Sequence, residues 1–322
     1  MKNILILGSE GFLGSVLVPY LLKEKNTFIT GVDKCFFGKN NKIHSKFKFL
    51  KKDYKLLPPS FFSKFDNIID LVNISNDPAS ELNTKFTYKT NYSNKIKLYN
   101  KIKNINKLQK YIYMSSCSVY GNNQNLITEK SKPKPISLYS KLCLKYEKYL
   151  KRKKRVPYTI LRLGTLYGWS ERMRYDIAIN KIIRDMIFLK KIEILGGEQL
   201  RFFCHNLFAC KVINEIIKES KYNNKVFNIG NFNTNIIQLT KKILKLTKIK
   251  NVNVYHEKNT IDKRSYEVSI SSSKKFFKNI NLKKMSNSSI IETFKKIKKD
   301  QNPFSKKKIT LTIYKDFLKK NS

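Results

Sequence analysis

The sequence predicts an α/β protein: a doubly wound parallel sheet with a smaller C-terminal α/β region. Three observations carry this reading. Through the first half, short apolar runs alternate with segments whose apolar residues recur at helical spacing. The first run ends in glycines placed to turn the chain into a helix. After about Leu166 the alternation loosens and polar loops lengthen. Strands alternating with helices build βαβ units, whose crossovers make the pairing parallel and cover both sheet faces.

The elements follow in order. Asn3–Leu7 is a strand closed by Gly8, and Gly14–Lys23 carries a helical stripe. Phe28–Val32 is a second strand ending at Asp33, Phe47–Leu50 a third and Ile68–Val72 a fourth. Thr87–Lys103 reads as a helix, Tyr111–Met114 as a fifth strand, Leu138–Leu150 as a helix and Tyr158–Leu163 as a sixth strand. Beyond them come a helix over Ile177–Leu189, a strand at Val226–Ile229 and a helix over Asn235–Leu246. The expected division is a first unit over 1–165, a second region over 166–300 interleaved with it, and a tail over 301–322 with no legible role.

A chain of 322 residues, 41% of them hydrophobic, is long enough to bury a sizeable core. Its net charge of +43 would suit nucleic acid or an anionic membrane. The lysines, however, are spread along the whole chain, whereas a nucleic-acid binder gathers its basic residues on one face or tail. The compact run Lys151–Arg155 is expected to end a helix, at its negative pole. Nucleic acid is therefore not the expected partner, although an anionic small molecule gains from such a field. The five cysteines have no CxxC spacing and do not cluster with the three histidines, so no metal site is expected and the thiols read as reduced. A first strand at Asn3 leaves no room for a leader, and no apolar run reaches the length of a membrane span. A cytoplasmic protein is the expectation.

Gly8-Ser-Glu-Gly11-Phe-Leu-Gly14 stands directly after a strand and opens a helix. Glycines there permit a tight turn, close approach to a pyrophosphate and packing of helix on sheet. The helix start offers unpaired N–H groups and the positive end of its dipole. Gly8, Gly11, Phe12, Leu13 and Gly14 are thus the expected pyrophosphate cradle of a Rossmann-type dinucleotide fold. Asp33 closes the next strand, where a carboxylate accepts from both ribose hydroxyls and repels a 2′-phosphate. NAD is expected in preference to NADP.

This spacing resembles the extended short-chain dehydrogenase/reductase family, which includes NAD-dependent nucleotide-sugar epimerases and dehydratases. The resemblance runs from the first residue to about Ile297. It implies that Asp53 faces the adenine, that Val72 and Asn73 line the phosphate side, and that Asn91 is the family's helix asparagine near the cofactor. Met114-Ser-Ser-Cys-Ser-Val-Tyr-Gly121 is similar to the family's serine-rich segment, in which Ser116 hydrogen-bonds the reacting sugar oxygen. Dehydratases of the family carry an acid pair just after that hydroxyl; Cys117 and Ser118 stand here instead, which disfavours loss of water.

The family's Tyr-x-x-x-Lys pair has two possible registers, Tyr139 with Cys143 or Ser137 with Lys141. The first keeps both the tyrosine and the downstream Glu147 and is preferred; the catalytic set is then Tyr139, Ser116 and Cys143, with Cys143 in place of lysine. The lysine would lie one helical turn from the tyrosine and lower its pKa. Its loss implies slow turnover. In the second half, Thr165 occupies the family's substrate-facing position, and Ser170-Glu-Arg-Met-Arg-Tyr-Asp…Asn180 resembles a subgroup signature that places Asn180 near the sugar nucleotide. Arg201-Phe-Phe-Cys-His205 and Asp262-Lys-Arg264-Ser-Tyr266 are similar to segments whose arginines grip a diphosphate, a task suited to planar guanidinium. The resemblance implies an NAD-binding 1–165, a substrate-binding 166–300 and a homodimer. It also implies NAD-dependent epimerisation of a nucleotide-diphosphate sugar through a transient keto intermediate. The alternatives are an NAD(P)H-dependent reductase of a nucleotide-linked 4-keto sugar, or a catalytically silent nucleotide-sugar binder.

Overall fold

Apolar runs too short for helices become strands, the central ones buried on both faces as in parallel sheets and the edge strand at 47–51 only partly covered. In the computed structural model, which describes residues 2–75, 77–257, 265–277 and 281–320, these are β1 (Lys2–Leu7), β2 (Thr27–Asp33), β3 (Phe47–Lys51), β4 (Asn67–Asp70), β5 (Lys110–Ser116) and β6 (Tyr158–Leu163). The second region adds β7 (Thr165–Tyr167), β8 (Lys191–Leu195), β9 (Leu200–His205), β10 (Lys225–Ile229), β11 (Phe232–Asn235) and β12 (Asn253–Glu257). Seven strands pair in the order β10-β6-β5-β4-β1-β2-β3, every pair parallel. Two smaller sheets, β11-β9-β7 and β12-β8, belong to the second region.

Successive strand residues point to opposite faces. Ile4, Ile6, Ile69, Ile112 and Leu161 meet one helical layer, which contains α1 (Gly14–Leu21) and the helix Asn206–Lys218. Leu5, Leu7, Ile68, Tyr111 and Ile160 meet the other, which contains Asn94–Ile102 and Leu138–Lys153. A separate core around Ile183, Met186, Ile192 and Leu239 holds the second region together. The strand order reverses between β1 and β4, where Leu7 pairs with Asp70. A crevice opens outside the carboxyl ends of strands at such a switch point.

The first six strands and the seventh at 225–229 fall within two residues of the expected positions. Three features differ from the sequence expectation. The helix expected over 87–103 starts at Thr84 and contains a π turn over Lys89–Ser93. The helix Leu282–Ile297 and the short strands of the smaller sheets were not legible. The tail, whose role is not legible in the sequence, carries an amphipathic helix, Thr310–Lys320, that packs back on the first unit.

Candidate active site

The glycine turn is built as the motif requires. Gly8 has φ +83°, and a Cβ there would press on Leu71 and Val72 at 3.2–3.3 Å. A Cβ at Gly14 would lie 2.4 Å from the Gly8 carbonyl oxygen, so only glycine lets the helix start so close to the strand end. Asp33 follows at the end of β2, mostly buried, accepting from the N–H groups of Glu10 (3.0 Å) and Cys35 (2.7 Å). Burial raises the carboxyl above its ordinary range, and those N–H groups work against the rise.

Glu10 is a residue sequence reasoning missed. It is buried inside the turn and accepts from the N–H groups of Asn40 and Asn41 and from the Asn41 side chain. That pins the loop after Asp33 and places a second carboxylate beside the first. Asp53 caps a short 3-10 turn through Lys55 N–H and pairs with Lys34 and Lys55 at 3.4 and 3.2 Å. Val72 and Asn73 face the same cavity, with Asn73 donating to the Met114 carbonyl at 3.0 Å.

Asn91 needs a correction. It does not line the cavity. The π turn buries it beneath the loop after β4, where its amide clasps both the N–H (2.8 Å) and the carbonyl (3.2 Å) of Ile74. Thr90 and Asn94 of the same segment face the cavity instead.

At the reaction centre, Ser116 closes β5 and accepts from Ser118 N–H (3.1 Å) and Ser118 Oγ (2.9 Å). Ser137 caps the helix Leu138–Lys153, one residue short of its first turn. The helix then turns Tyr139 into the cavity while Lys141 points to solvent. Of the two registers, only the pair Tyr139 and Cys143 faces inward. The Tyr139 phenol stands beside Cys143 and Ser116, both of which act on its ionisation, and Cys143 also meets Tyr113. Burial drives the phenol well above its ordinary pKa, Cys143 and Asp77 push the same way, and Ser116 and the Arg174 charge oppose. Burial likewise lifts the Cys143 thiol to about 12. Tyr139 and Cys143 are therefore both neutral at pH 7 in the ligand-free geometry.

Two buried ion pairs brace this centre. Glu147, one turn beyond Cys143, holds Arg162 of β6 through Nε at 3.0 Å and Nη2 at 2.5 Å, and takes a bond from Ser115 Oγ at 2.5 Å. Arg162 Nη1 in turn reaches Tyr120 Oη at 2.7 Å. The network locks the ends of β5 and β6 to the helix that carries Tyr139. The second pair joins Lys95 Nζ to Asp70 at 2.7 Å and to the Val72 carbonyl at 2.6 Å, fixing the exit of β4.

In the second half, Thr165 and Arg201 line the cavity, and Arg201 Nη1 donates to the Leu200 carbonyl at 2.9 Å. Asn180 needs a second correction. It is fully buried, bonded to the Gly168 N–H and carbonyl (both 3.1 Å) and to the Arg174 carbonyl (3.0 Å), so it braces the loop rather than facing a ligand. Arg264 lies outside the described residues. Arg172 and Arg174, to which no role was assigned from sequence, both line the cavity. Arg174 is paired with Asp176 at 2.7 Å; burial alone would raise that carboxyl, but Arg174 outweighs it and holds the acid at about 2.

One cavity of about 640 Å³ joins these parts, from the glycine turn and Asp33 past Ser116 and Tyr139 to Thr165 and Arg201. A family model described as the NAD-dependent epimerase/dehydratase family matches residues 4–230. The chain belongs to that family. An uncharacterised UDP-glucose epimerase of Bacillus subtilis is 28% identical over 248 residues, covering 71% of this chain and 76% of the relative. Human dTDP-D-glucose 4,6-dehydratase is 26% identical over 267 residues, covering 77% and 74%. Among solved structures, the UDP-glucuronic acid 4-epimerase of Bacillus cereus, in complex with UDP-glucuronic acid and NAD, superposes with a TM-score of 0.78 at 23% identity, over 92% of this chain and 99% of that one. The UDP-N-acetylglucosamine 4-epimerase of Methanobrevibacter ruminantium gives 0.80 at 24% identity, over 91% and 97%. The family's cofactor, NAD, fits the residues present: at Gly8 and Gly14 a side chain would press on the neighbouring chain, and Asn73 Oδ1 and Asn94 Oδ1, on residues that line the cavity, are buried without hydrogen-bond partners. Among the described residues no helix is long and apolar enough to cross a membrane.

Proposed function

We propose that the protein is a slow NAD-dependent epimerase of a nucleotide-diphosphate sugar, with residues 1–165 holding the cofactor and 166–300 the sugar nucleotide. The observation that carries this is the single cavity that brings the glycine turn and Asp33 together with Tyr139, Ser116 and Arg201. Gly8, Gly11, Phe12, Leu13 and Gly14 receive the pyrophosphate. Asp33 takes the adenosine ribose, Asp53 the adenine, and Val72 and Asn73 the phosphate side. Thr165 and Arg201 orient the substrate. NAD held by these residues would supply the hydride acceptor and donor that epimerisation through a ketone requires.

The chain's own residues move the proton. Ser116 accepts from or donates to the reacting oxygen and holds it against Tyr139. Tyr139 removes the hydroxyl proton in one direction and returns it in the other. Its buried phenol carries its proton at neutral pH, and Asp77, which lines the cavity, raises its pKa further. A reductase of a nucleotide-linked 4-keto sugar, for which the phenol only donates, is the second reading.

Incubation with NAD and UDP-sugars, followed by product separation and absorbance of reduced cofactor, tests the proposal. Epimerisation predicts an isomeric UDP-sugar with no net change in cofactor. Stoichiometric oxidation of NADH or NADPH by a UDP-4-keto sugar would give the reductase reading. Nucleotide-sugar binding without either reaction would overturn both in favour of a silent binder.

A further inference from the structure

The helix Thr310–Lys320 runs across the cofactor end of the cavity. Its Phe317 ring lies 4.5 Å from Phe36, in the loop after Asp33, and 5.6 Å from Phe86, on the opposite rim. Tyr314 stands edge-on to Phe37 at 5.7 Å, and Tyr314 and Thr310 face the same space as Gly11 and Asp33. The crossing is anchored beneath: Tyr175 Oη donates to Asp300 at 2.5 Å, Lys308 Nζ donates to Asp300 at 2.5 Å, and Tyr175 N–H donates to the Lys308 carbonyl at 2.8 Å.

Arg172 completes the crossing from the other side. Ser170 and Arg172 sit on the glycine turn, with Ser170 Oγ donating to the Phe12 carbonyl (2.8 Å) and sharing a bond with Ser15 Oγ (2.7 Å). The Arg172 guanidinium lies over Phe37, 3.9 Å from the ring centroid, and donates through Nη2 to Thr310 Oγ1 at 3.0 Å. It is 3% exposed, the Asp176 charge offsets only part of the cost of its burial, and its Nε has no hydrogen-bond partner. A buried guanidinium so incompletely compensated is costly, and pairing with phosphate oxygens relieves that cost.

We propose that Arg172 and the helix Thr310–Lys320 form a roof over the cofactor's pyrophosphate and adenosine, so that the dinucleotide stays bound through successive turnovers instead of exchanging. The proposal rests on the functional reading above. A cofactor restored in every cycle has no need to leave, and a roof tied down by five aromatic rings keeps it from doing so. Arg172 lies against the glycine turn and the loop after Asp33, which assigns it to the cofactor's pyrophosphate and not to the substrate's diphosphate.

Three variants test this: a chain ended after Ile309, Arg172→Met, and the milder Phe317→Ala, which unlinks the two rims without opening the core. Each is checked for fold by circular dichroism. Loaded with fluorescent etheno-NAD, each is chased with excess NAD, and UDP-glucose affinity is measured in parallel. The intact chain is expected to retain dinucleotide through gel filtration. The shortened chain and Arg172→Met should release it at least ten times faster, and Phe317→Ala several times faster, with UDP-glucose affinity within twofold of the intact chain. Equal release rates in the intact and shortened chains would overturn the roof and leave the epimerase reading standing, as would a loss confined to UDP-glucose binding. An intact chain that takes up no dinucleotide would overturn both.

Discussion

Replacing Cys143 by lysine puts an ammonium one helical turn from Tyr139, on the face where the buried thiol now stands beside the phenol. A tyrosine with its ordinary pKa of ~10 is ionised in only about one molecule in a thousand at pH 7. Tyr139 is held above that by burial, Cys143 and Asp77. An ammonium ~5 Å from a phenolate, at an effective dielectric constant of ~20, stabilises it by about 3 kcal/mol, or just over two pKa units. Cys143→Lys is therefore expected to raise kcat at pH 7 by ~10²-fold and to move the alkaline rise of the kcat–pH profile down by about two units. The sign follows from the charge: a cation favours the anionic phenolate, so activity that needs the base appears at lower pH. The assay is single-turnover conversion of a UDP-sugar across pH 6–10 (about this range, to bracket the tyrosine). Cys143→Ala serves as control, removing the thiol without adding charge, and is expected to give no such shift. A Cys143→Lys protein that melts and binds NAD like the parent, yet shows unchanged or lower kcat and an unmoved profile, would refute the reasoning that this position limits proton transfer.

Glu147→Gln leaves Arg162 buried opposite a neutral amide, and breaking such a pair costs about 3–5 kcal/mol. The melting temperature should fall by roughly 5–10 °C, with Arg162→Met plus Glu147→Leu recovering much of the loss; a change of a degree or less would show that the pair does not brace the site. His205 is held neutral by burial, helped by Lys296 and Lys211, with its pKa lowered to about 4. Between pH ~6.5 and 4 the unfolded chain binds a proton that the folded chain refuses, so stability should fall through that window by up to about 3 kcal/mol from this residue. Urea unfolding of wild type and His205→Gln would show the difference between them shrinking from pH 7 to pH 4; a constant difference would mean that His205 titrates normally. Asp33→Ser removes the carboxylate proposed to take the ribose, and should narrow the preference for NAD over NADP at least tenfold, while Glu10 is expected to keep NADP from becoming the better ligand. Equal discrimination in the variant would remove Asp33 from the ribose.

The main sheet was legible because each signal was local. Apolar runs of four to seven residues separated by helical periodicity carry their strand assignment without help from distant residues, and Gly8 and Gly14 are identifiable because a side chain at either would strain or block the turn. Tyr139 and Ser116 were legible for a different reason: the segments around them match a family pattern. The misplacements share a physical origin. Asn91 and Asn180 are polar residues in the right segments, but whether an amide faces a ligand or clasps a backbone depends on a π turn in one case and on the fold of the 168–174 loop in the other. Neither leaves a mark in the sequence. Glu10 stands inside the motif at a position the glycine pattern leaves open, and its partners Asn40 and Asn41 come from a loop with no periodicity at all. The tail's role depends on rings meeting across more than two hundred residues, Phe36 and Phe86 with Phe317, which spacing along the chain does not encode. Arg172 stood inside a signature segment with no role attached to it; its burial against Phe37 and Thr310 is what sets it apart.

Titration calorimetry of nucleotide-stripped protein with NAD bears most directly on the dinucleotide cradle from which the rest is built. The parent chain should bind one NAD per chain, and Gly14→Ala, whose methyl group would meet the Gly8 carbonyl, should bind none while keeping its overall fold. A folded parent that takes up no NAD, or a Gly14→Ala protein that binds it as tightly as the parent, would contradict the account.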